Sequence, residues 1–556
     1  MYRNSTSRRN LLKAVAATFG SAAGGILSAT QDNEVRPEGP IRIRTGRQLF
    51  VDDYLIAQTS LRRSFHKPRV HDASPVLKPE TPLEMNNGYC PVACPFQDGV
   101  FYDPKDRLYK IWYHAGWFDG TAYAYSEDGL QWVRPNLDIE PGTNRVLRRD
   151  ESERDGAGVW LDLDAANPAE RYKMFVYYRK YDRRRESGAA QALPGSGGSS
   201  GRTVSSGGSI YTSPDGIHWT DHGPTGPCGD NTNFYYDPFR KTWFYSIRVH
   251  GEQGERFGGQ DVRKRAYREC ADFVEGAKWS VKDVVLFAAA DDKDLPDPAL
   301  GYKAQLYNLD AVGYESLMLG IFTIHRGPPN DICLKGGFPK TTDLTLAYSR
   351  DGIQWERPDR SAFLACSRQP STWNRGYLHS NGGVCLIAGD ELRFYFSAFS
   401  GISPRLGGHM YAGGSTGLAT LRRDGFASMD AASEPGSLTT RLLDFDGRCL
   451  FINADARGGE LRAEVLGPDG RVLPGFAKKN CRPVRVNSIC QRVSWNGTGD
   501  LARLRGQPVS LRFHAVKTQL FAFWISPVES GASHGYVAAG GPGFTGTTDT
   551  IGGKQV

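Results

Sequence analysis

Three acidic residues stand where strand-like runs begin. Asp155 lies in Arg154-Asp-Gly-Ala-Gly-Val-Trp160, Asp230 in Gly229-Asp-Asn-Thr-Asn233, and Glu315 in Val312-Gly-Tyr-Glu-Ser-Leu-Met-Leu-Gly320. Carboxyls delivered by separate strands suit cleavage of a glycosidic bond. One gives a proton to the leaving oxygen, and the other attacks or activates water. Glu315 is a lone acid entering an apolar strand, where desolvation should raise its pKa. It is therefore the expected proton donor. Asp155 and Asp230 are the expected nucleophile or base and transition-state stabiliser, in either order. The competing reading of each Asp is a strand-end turn or cap. Side chains suited to binding a polar ring surround these acids in sequence: Asn233, Asn87, Tyr89, His114, Trp117, Arg248, Arg375 and His379.

The elements that would position them are counted by a repeat. Ser126-Glu-Asp-Gly-Leu-Gln-Trp132 returns as Ser213-Pro-Asp-Gly-Ile-His-Trp219 and as Ser349-Arg-Asp-Gly-Ile-Gln-Trp355. Each copy follows strand-like runs divided by turn residues, as Gly99-Val-Phe-Tyr-Asp-Pro104 and Leu108-Tyr-Lys-Ile-Trp-Tyr113 precede the first. Degenerate copies lie at Ala271-Asp-Phe-Val-Glu-Gly-Ala-Lys-Trp279 and Arg423-Asp-Gly-Phe426. Asp128, Asp215, Asp272, Asp351 and Asp424 then mark five units of a four-stranded sheet, which predicts a five-bladed β-propeller over 45–435. Residues 187–209 form a Gly/Ser-rich insertion, expected as a loop. Residues 436–526 alternate differently, between Gly-Pro-Asp-Gly and Asn-Gly-Thr-Gly turns, and predict a separate β-sandwich. Residues 527–556, rich in Gly, Thr and Ser, are expected to be disordered.

The composition, 39% hydrophobic and 23% charged, is that of a soluble globular chain. Arg3, Arg8, Arg9 and Lys13 supply much of the formal +7 charge, and what remains is too small to argue for nucleic acid. Ser-Arg-Arg-Asn-Leu-Leu-Lys, Ser7 to Lys13, precedes a weakly apolar run and resembles a twin-arginine signal over 1–29, followed by a linker over 30–44. Export to the periplasm or beyond follows from that reading, with no other run long enough to span a bilayer. Ten cysteines have no zinc spacing; disulfides among Cys449, Cys481 and Cys490 and buried thiols are the two readings. No cofactor is expected, and Ca2+ in the channel has no motif behind it.

The chain resembles exported bacterial proteins akin to glycoside hydrolase family 32, the invertases and levanases. The resemblance rests on Leu49-Phe-Val-Asp-Asp-Tyr-Leu-Ile56, the Asp-Gly-x-x-Trp boxes, Arg423-Asp-Gly-Phe426 and Gly436-Ser-Leu-Thr-Thr440. It covers roughly 45–526 and implies a propeller, a sandwich and a glycan substrate. The propeller alone is also similar to families 43 and 130. The invertase opening Asn-Asp-Pro-Asn-Gly is replaced by Pro95-Phe-Gln-Asp-Gly99, so fructan hydrolysis does not carry over. A glycoside phosphorylase with a basic pocket and a non-catalytic glycan-binding propeller stand as alternatives. The box itself resembles the Asp-box turn of sialidases, with Asp accepting backbone N–H bonds and Trp packing between sheets.

Overall fold

A computed structural model describes residues 39–148, 153–181, 203–249 and 263–553. The signal-like start and most of the Gly/Ser-rich insertion lie outside the described residues. Five antiparallel sheets follow one another along the chain. The first holds Val92–Asp103, Leu108–Ala115 and Gly120–Ser126. The second holds Glu153–Leu161, Tyr172–Tyr181, Thr203–Ser213 and Thr220–Pro224, so the insertion's last residues are strand. The third runs from Asn233–Asp237 through Thr242–Arg248 and Lys264–Cys270 to Val285–Ala289. The fourth holds Gln305–Glu315, Leu317–Gly327 and Thr341–Ser349. In the fifth, Gly376–His379, Glu391–Phe399 and Gly414–Arg422 are joined by Arg69–Val70, which precedes the first blade in sequence. Asn381–Gly382 and Gly414–Arg422 also pair in parallel with Val92–Asp103, tying the last blade to the first. The fold is a five-bladed β-propeller followed by a β-sandwich.

The boxes are joints between blades. Ser126, Ser213 and Ser349 Oγ accept from the N–H of Gly129, Gly216 and Gly352 at 2.8, 2.8 and 2.9 Å. Asp128 Oδ1 accepts from the N–H of Leu130 and Gln131 at 2.7 and 2.9 Å. Gly129 has φ +73°, where a side chain would be strained and would also strike the Tyr395 hydroxyl. That hydroxyl donates to Gly129 O at 2.7 Å, and Trp112 Nε1 donates to Gly216 O at 2.7 Å. Each box therefore docks on the neighbouring blade. Asp128→Ala is expected to cost about 1 kcal/mol in thermal unfolding and to leave catalysis unchanged.

The sandwich is larger than 436–526. One sheet orders Asn487–Arg492, Cys449–Asp455, Thr518–Ser526, Ala427–Ala431 and Arg62–Phe65, with Gln48–Leu49 on Thr518–Ser526. The other orders Ile56–Thr59, Gly436–Thr440, Ser510–Val516 and Glu460–Leu466. Phe50, Leu55, Leu438, Leu461, Phe513 and Phe523 share its core. Residues assigned by sequence to the linker and the first blade thus belong to the sandwich, because their apolar positions complete its two inner faces. Ile41–Arg42 pairs with Leu443–Asp444.

The C-terminal segment is ordered through Gly553, contrary to the expectation from composition. Tyr536–Val537 pairs with Gln305–Glu315, and the N–H of Tyr102 and Ile387 donate to Ala539 O and Gly540 O at 3.0 and 2.9 Å. Backbone hydrogen bonds do the ordering, and these are indifferent to side-chain polarity. All ten cysteines are free thiols.

Candidate functional site

The inner strands of the five blades all run away from one end of the propeller axis, so residues at their starts form its mouth. Asp155 and Asp230 meet there. Arg179, from the end of Tyr172–Tyr181, donates through Nε to Asp155 Oδ2 at 2.6 Å and through Nη2 to Asp230 Oδ2 at 2.7 Å. Arg248 forms a second ion pair with Asp230. Asp155 is buried, while the Arg179, Asp230 and Arg248 side chains keep 24%, 18% and 21% of their surface exposed. Three of the expected site residues therefore share one charge cluster that solvent reaches.

Glu315 is not part of it. It lies at the far end of its inner strand, about 16 Å beyond Asp310 at the usual rise of about 3.3 Å per residue. Its side chain is 0% exposed and faces Arg423 Nη2 at 2.9 Å and Arg47 Nε at 3.4 Å. Ser533 Oγ and the Arg47 N–H donate to Glu315 Oε2 at 2.7 and 3.0 Å. Burial does push its carboxyl up, as the sequence suggested, but the two guanidiniums oppose this and the site is closed to substrate. The proton-donor assignment of Glu315 is corrected to that of a structural ion pair.

The expected binding residues divide. Trp117 is buried, stacked on Tyr411 with centroids 4.2 Å apart and planes at 9°, so it is no exposed platform. His114 Nε2 accepts from the Phe118 N–H at 2.8 Å and shapes that turn. Asn233 donates to Leu309 O at 2.9 Å and to Asp310, tying the third inner strand to the fourth. Asn87 is exposed, and Arg405 covers the Tyr89 ring at 4.1 Å. Arg375 lies 5.7 Å from the Phe338 ring. His379 is buried against Phe96 and Tyr307, with centroids 4.2 and 5.2 Å away.

Several residues of the axis were missed. Asp98, within Pro95-Phe-Gln-Asp-Gly99, sits on the first inner strand and is paired with Arg154. Asp310 accepts from Asn308 Nδ2 at 2.8 Å and from Asn233 and Ser380. The signal for Asp310 was available: Asn308 and Asp310 occupy alternate positions of an otherwise apolar run, hence one face. Tyr307 lies at the mouth, its hydroxyl 2.9 Å from that of Tyr377 and accepting from Lys340 Nζ at 3.1 Å. Burial raises this phenol, but the charges of Lys340 and Arg263 bring it down to about 7. Among the described residues, no three His, Cys, Asp or Glu side chains converge as a metal site.

Burial pushes the Asp98 and Asp310 carboxyls up to about 6, against Arg154 for the first and Ser380, Asn308 and Asn233 for the second. Unfolded, both titrate near the ordinary value of about 4. The folded chain thus holds protons between about pH 4 and 6 that the unfolded chain has lost. Their stabilising contribution is complete below about pH 4 and is lost as pH rises through about 6. Asp310→Asn is expected to remove its share of this slope in urea unfolding measured across that range.

No family model matches the chain, and no curated protein matches it. Among solved structures it is similar to an N-acetylgalactosamine deacetylase from F. plautii at 16% identity, over 69% of this chain and 95% of that one, with a TM-score of 0.37. It is also similar to a fructofuranosidase from Schwanniomyces occidentalis at 9% identity, over 80% and 98% of the two chains, with a TM-score of 0.34. A GH32 β-fructofuranosidase from Bombyx mori gives 9% identity over 83% and 94%, with a TM-score of 0.36. Similarity at this level leaves the activity to be argued from the site.

Proposed function

We propose that the protein is an exported glycoside hydrolase working at the mouth of the propeller axis. The observation that carries the reading is the meeting of Asp155 and Asp230, from successive inner strands, on the single guanidinium of Arg179. Two carboxyls across a partly open cleft are the minimum equipment for glycoside cleavage. In the free protein Arg179 and Arg248 compensate both charges. A glycan entering the cleft displaces Arg179, and the carboxyl left desolvated without a cation takes up the proton that the leaving oxygen needs. The other carboxylate attacks the anomeric carbon or activates water. The twin-arginine-like Ser7–Lys13 segment supports the exported part of this reading.

The test is a glycan screen of the exported chain in phosphate-free buffer, reading released reducing ends, alongside Asp155→Asn and Asp230→Asn. Cleavage lost in both variants supports the reading. Cleavage that persists in both overturns the site, and glycan binding with no cleavage overturns the activity.

A further inference from the structure

Beside the acid pair lies a cluster of cations that outnumber the acids facing them, the Tyr307 phenol and Asp310, the latter joined to Arg265 through Asn308. Lys340 is 0% exposed, and its Nζ donates to Tyr307 Oη at 3.1 Å, the phenol that these cations bring down to about 7, and to Asn330 Oδ1 at 2.8 Å. The Arg263 guanidinium lies 4.9 Å from the Tyr307 ring centroid and donates to the Gln305 side chain. Arg265, fully buried, donates to Asn231 O and Tyr307 O at 2.5 Å each and to Asn308 Oδ1 at 3.0 Å. Among the described residues no carboxylate stands within ion-pair distance of any of the three. Of the nearby acids, Asp155 and Asp230 are taken by Arg179 and Arg248, and Asp310 accepts from Asn308, Asn233 and Ser380.

Two histidines point to what is missing. His325 is 4% exposed and His379 0%; among the described residues neither ring nitrogen of His379 has a hydrogen-bond partner, and His325 has only the Pro328 backbone beside it. Both rings pack on Tyr307, with centroids 5.9 and 5.2 Å away. Burial and the charges of Arg263 and Lys340 hold His325 down at about 2, and burial and Lys340 likewise hold His379 well below its usual range. Each is therefore a neutral imidazole with one N–H to donate. Buried cations in excess of their counter-charge and buried N–H groups without acceptors are both costly. One group relieves both, an anion with several acceptor oxygens.

We propose that Arg263, Lys340, His325 and His379, gathered around Tyr307, form a subsite for an oxyanion: a sulfate ester, carboxylate or phosphate. The proposal deepens the glycan reading and rests on it for the location of the substrate. A charged substituent held here would orient the sugar ring against Asp155 and Asp230 and select acidic glycans over neutral ones.

The test uses the full mature chain. Thermal unfolding is followed in inorganic sulfate, inorganic phosphate and chloride at matched ionic strength. Calorimetry compares galactose 6-sulfate, galacturonate and galactose. The expected result is a higher melting temperature in sulfate or phosphate than in chloride, and at least tenfold tighter binding of a charged sugar than of galactose. Both effects should fall away in Lys340→Met and Arg263→Gln. Should Lys340→Met fail to fold, Arg263→Gln, at a partly exposed position, carries the comparison. If neither ion stabilises and charged and neutral sugars bind alike, the subsite is refuted, as it is if both effects survive in Arg263→Gln. Phosphate that also accelerates cleavage of a neutral glycan identifies the oxyanion as a free co-substrate. Preference for a charged sugar without a phosphate effect places it on the glycan. Cleavage of neutral glycans indifferent to charge and to Arg263→Gln sinks the subsite and leaves the hydrolase. Anion binding without cleavage does the reverse.

Discussion

Asp230→Asn is expected to lower kcat on a cleaved glycan by about 10²–10⁴-fold, the usual worth of a positioned acid or base. The substitution keeps the shape of the side chain and removes its charge. Arg248 loses its carboxylate partner, but both side chains are partly exposed, so the stability cost should be about 1 kcal/mol or less. Melting temperature and kcat should therefore separate. Asp155→Asn should cost as much activity and more stability, because Asp155 is buried. A second reading of the kinetics is available. If the carboxylates only hold Arg179 and the substrate, KM should rise while kcat survives. A kcat that survives in both variants would remove Asp155 and Asp230 from the chemistry.

Much of the architecture was legible because its signals are local. In each box the Ser and Asp side chains bond to backbone two or three residues on, so the motif can be read in isolation. Three such turns, with the degenerate copies at Asp272 and Asp424, count five blades whatever the rest of the chain does. The acids at the starts of the second and third inner strands were legible for the same reason, since blade starts follow from the count. What was not legible depends on distant partners. Lys340 and Tyr307 gain meaning only from the hydroxyl–ammonium contact across the fourth blade, whose first strand carries Tyr307 and whose third strand follows Lys340. Gln48 and Leu49 join the sandwich through Phe523 and Ala522, at the other end of the chain. Trp117 looks like a sugar platform by type and spacing, but Tyr411 already occupies its face.

Glu315 is the sharpest case. A single acid entering an apolar strand gives the same one-dimensional signal whether it serves a substrate or a buried ion pair. Its partners Arg47 and Arg423 lie 268 and 108 residues away. They form a knot of side chains wholly removed from solvent. Arg47 Nη1 donates to Asp424 Oδ2 and Ile489 O at 2.8 Å each, and its guanidinium lies 4.2 Å from the Trp524 ring centroid. Arg423 Nη2 donates to Glu315 Oε1 at 2.9 Å and Asp549 Oδ2 at 2.8 Å. Tyr314 and Asn453 donate to Asp424 at 2.7 and 2.9 Å. The knot thus joins the N-terminal segment, the fourth and fifth blades, the sandwich and the C-terminal segment.

Removing one charge leaves the others uncompensated in a desolvated place, which costs about 3–5 kcal/mol. Arg423→Met is expected to fall in that range, because it leaves Arg47 alone against Glu315, Asp424 and Asp549. Glu315→Gln should lose less, since the amide still accepts from Ser533 or Arg47 through one oxygen. The measurement is urea unfolding with activity assayed on the fraction that remains folded. The expected outcome is a lower midpoint with kcat per folded molecule unchanged in Glu315→Gln. A Glu315→Gln protein that unfolds like the parent but no longer cleaves would return Glu315 to the active site. Loss of stability alone fixes it as the clasp between the propeller and the sandwich.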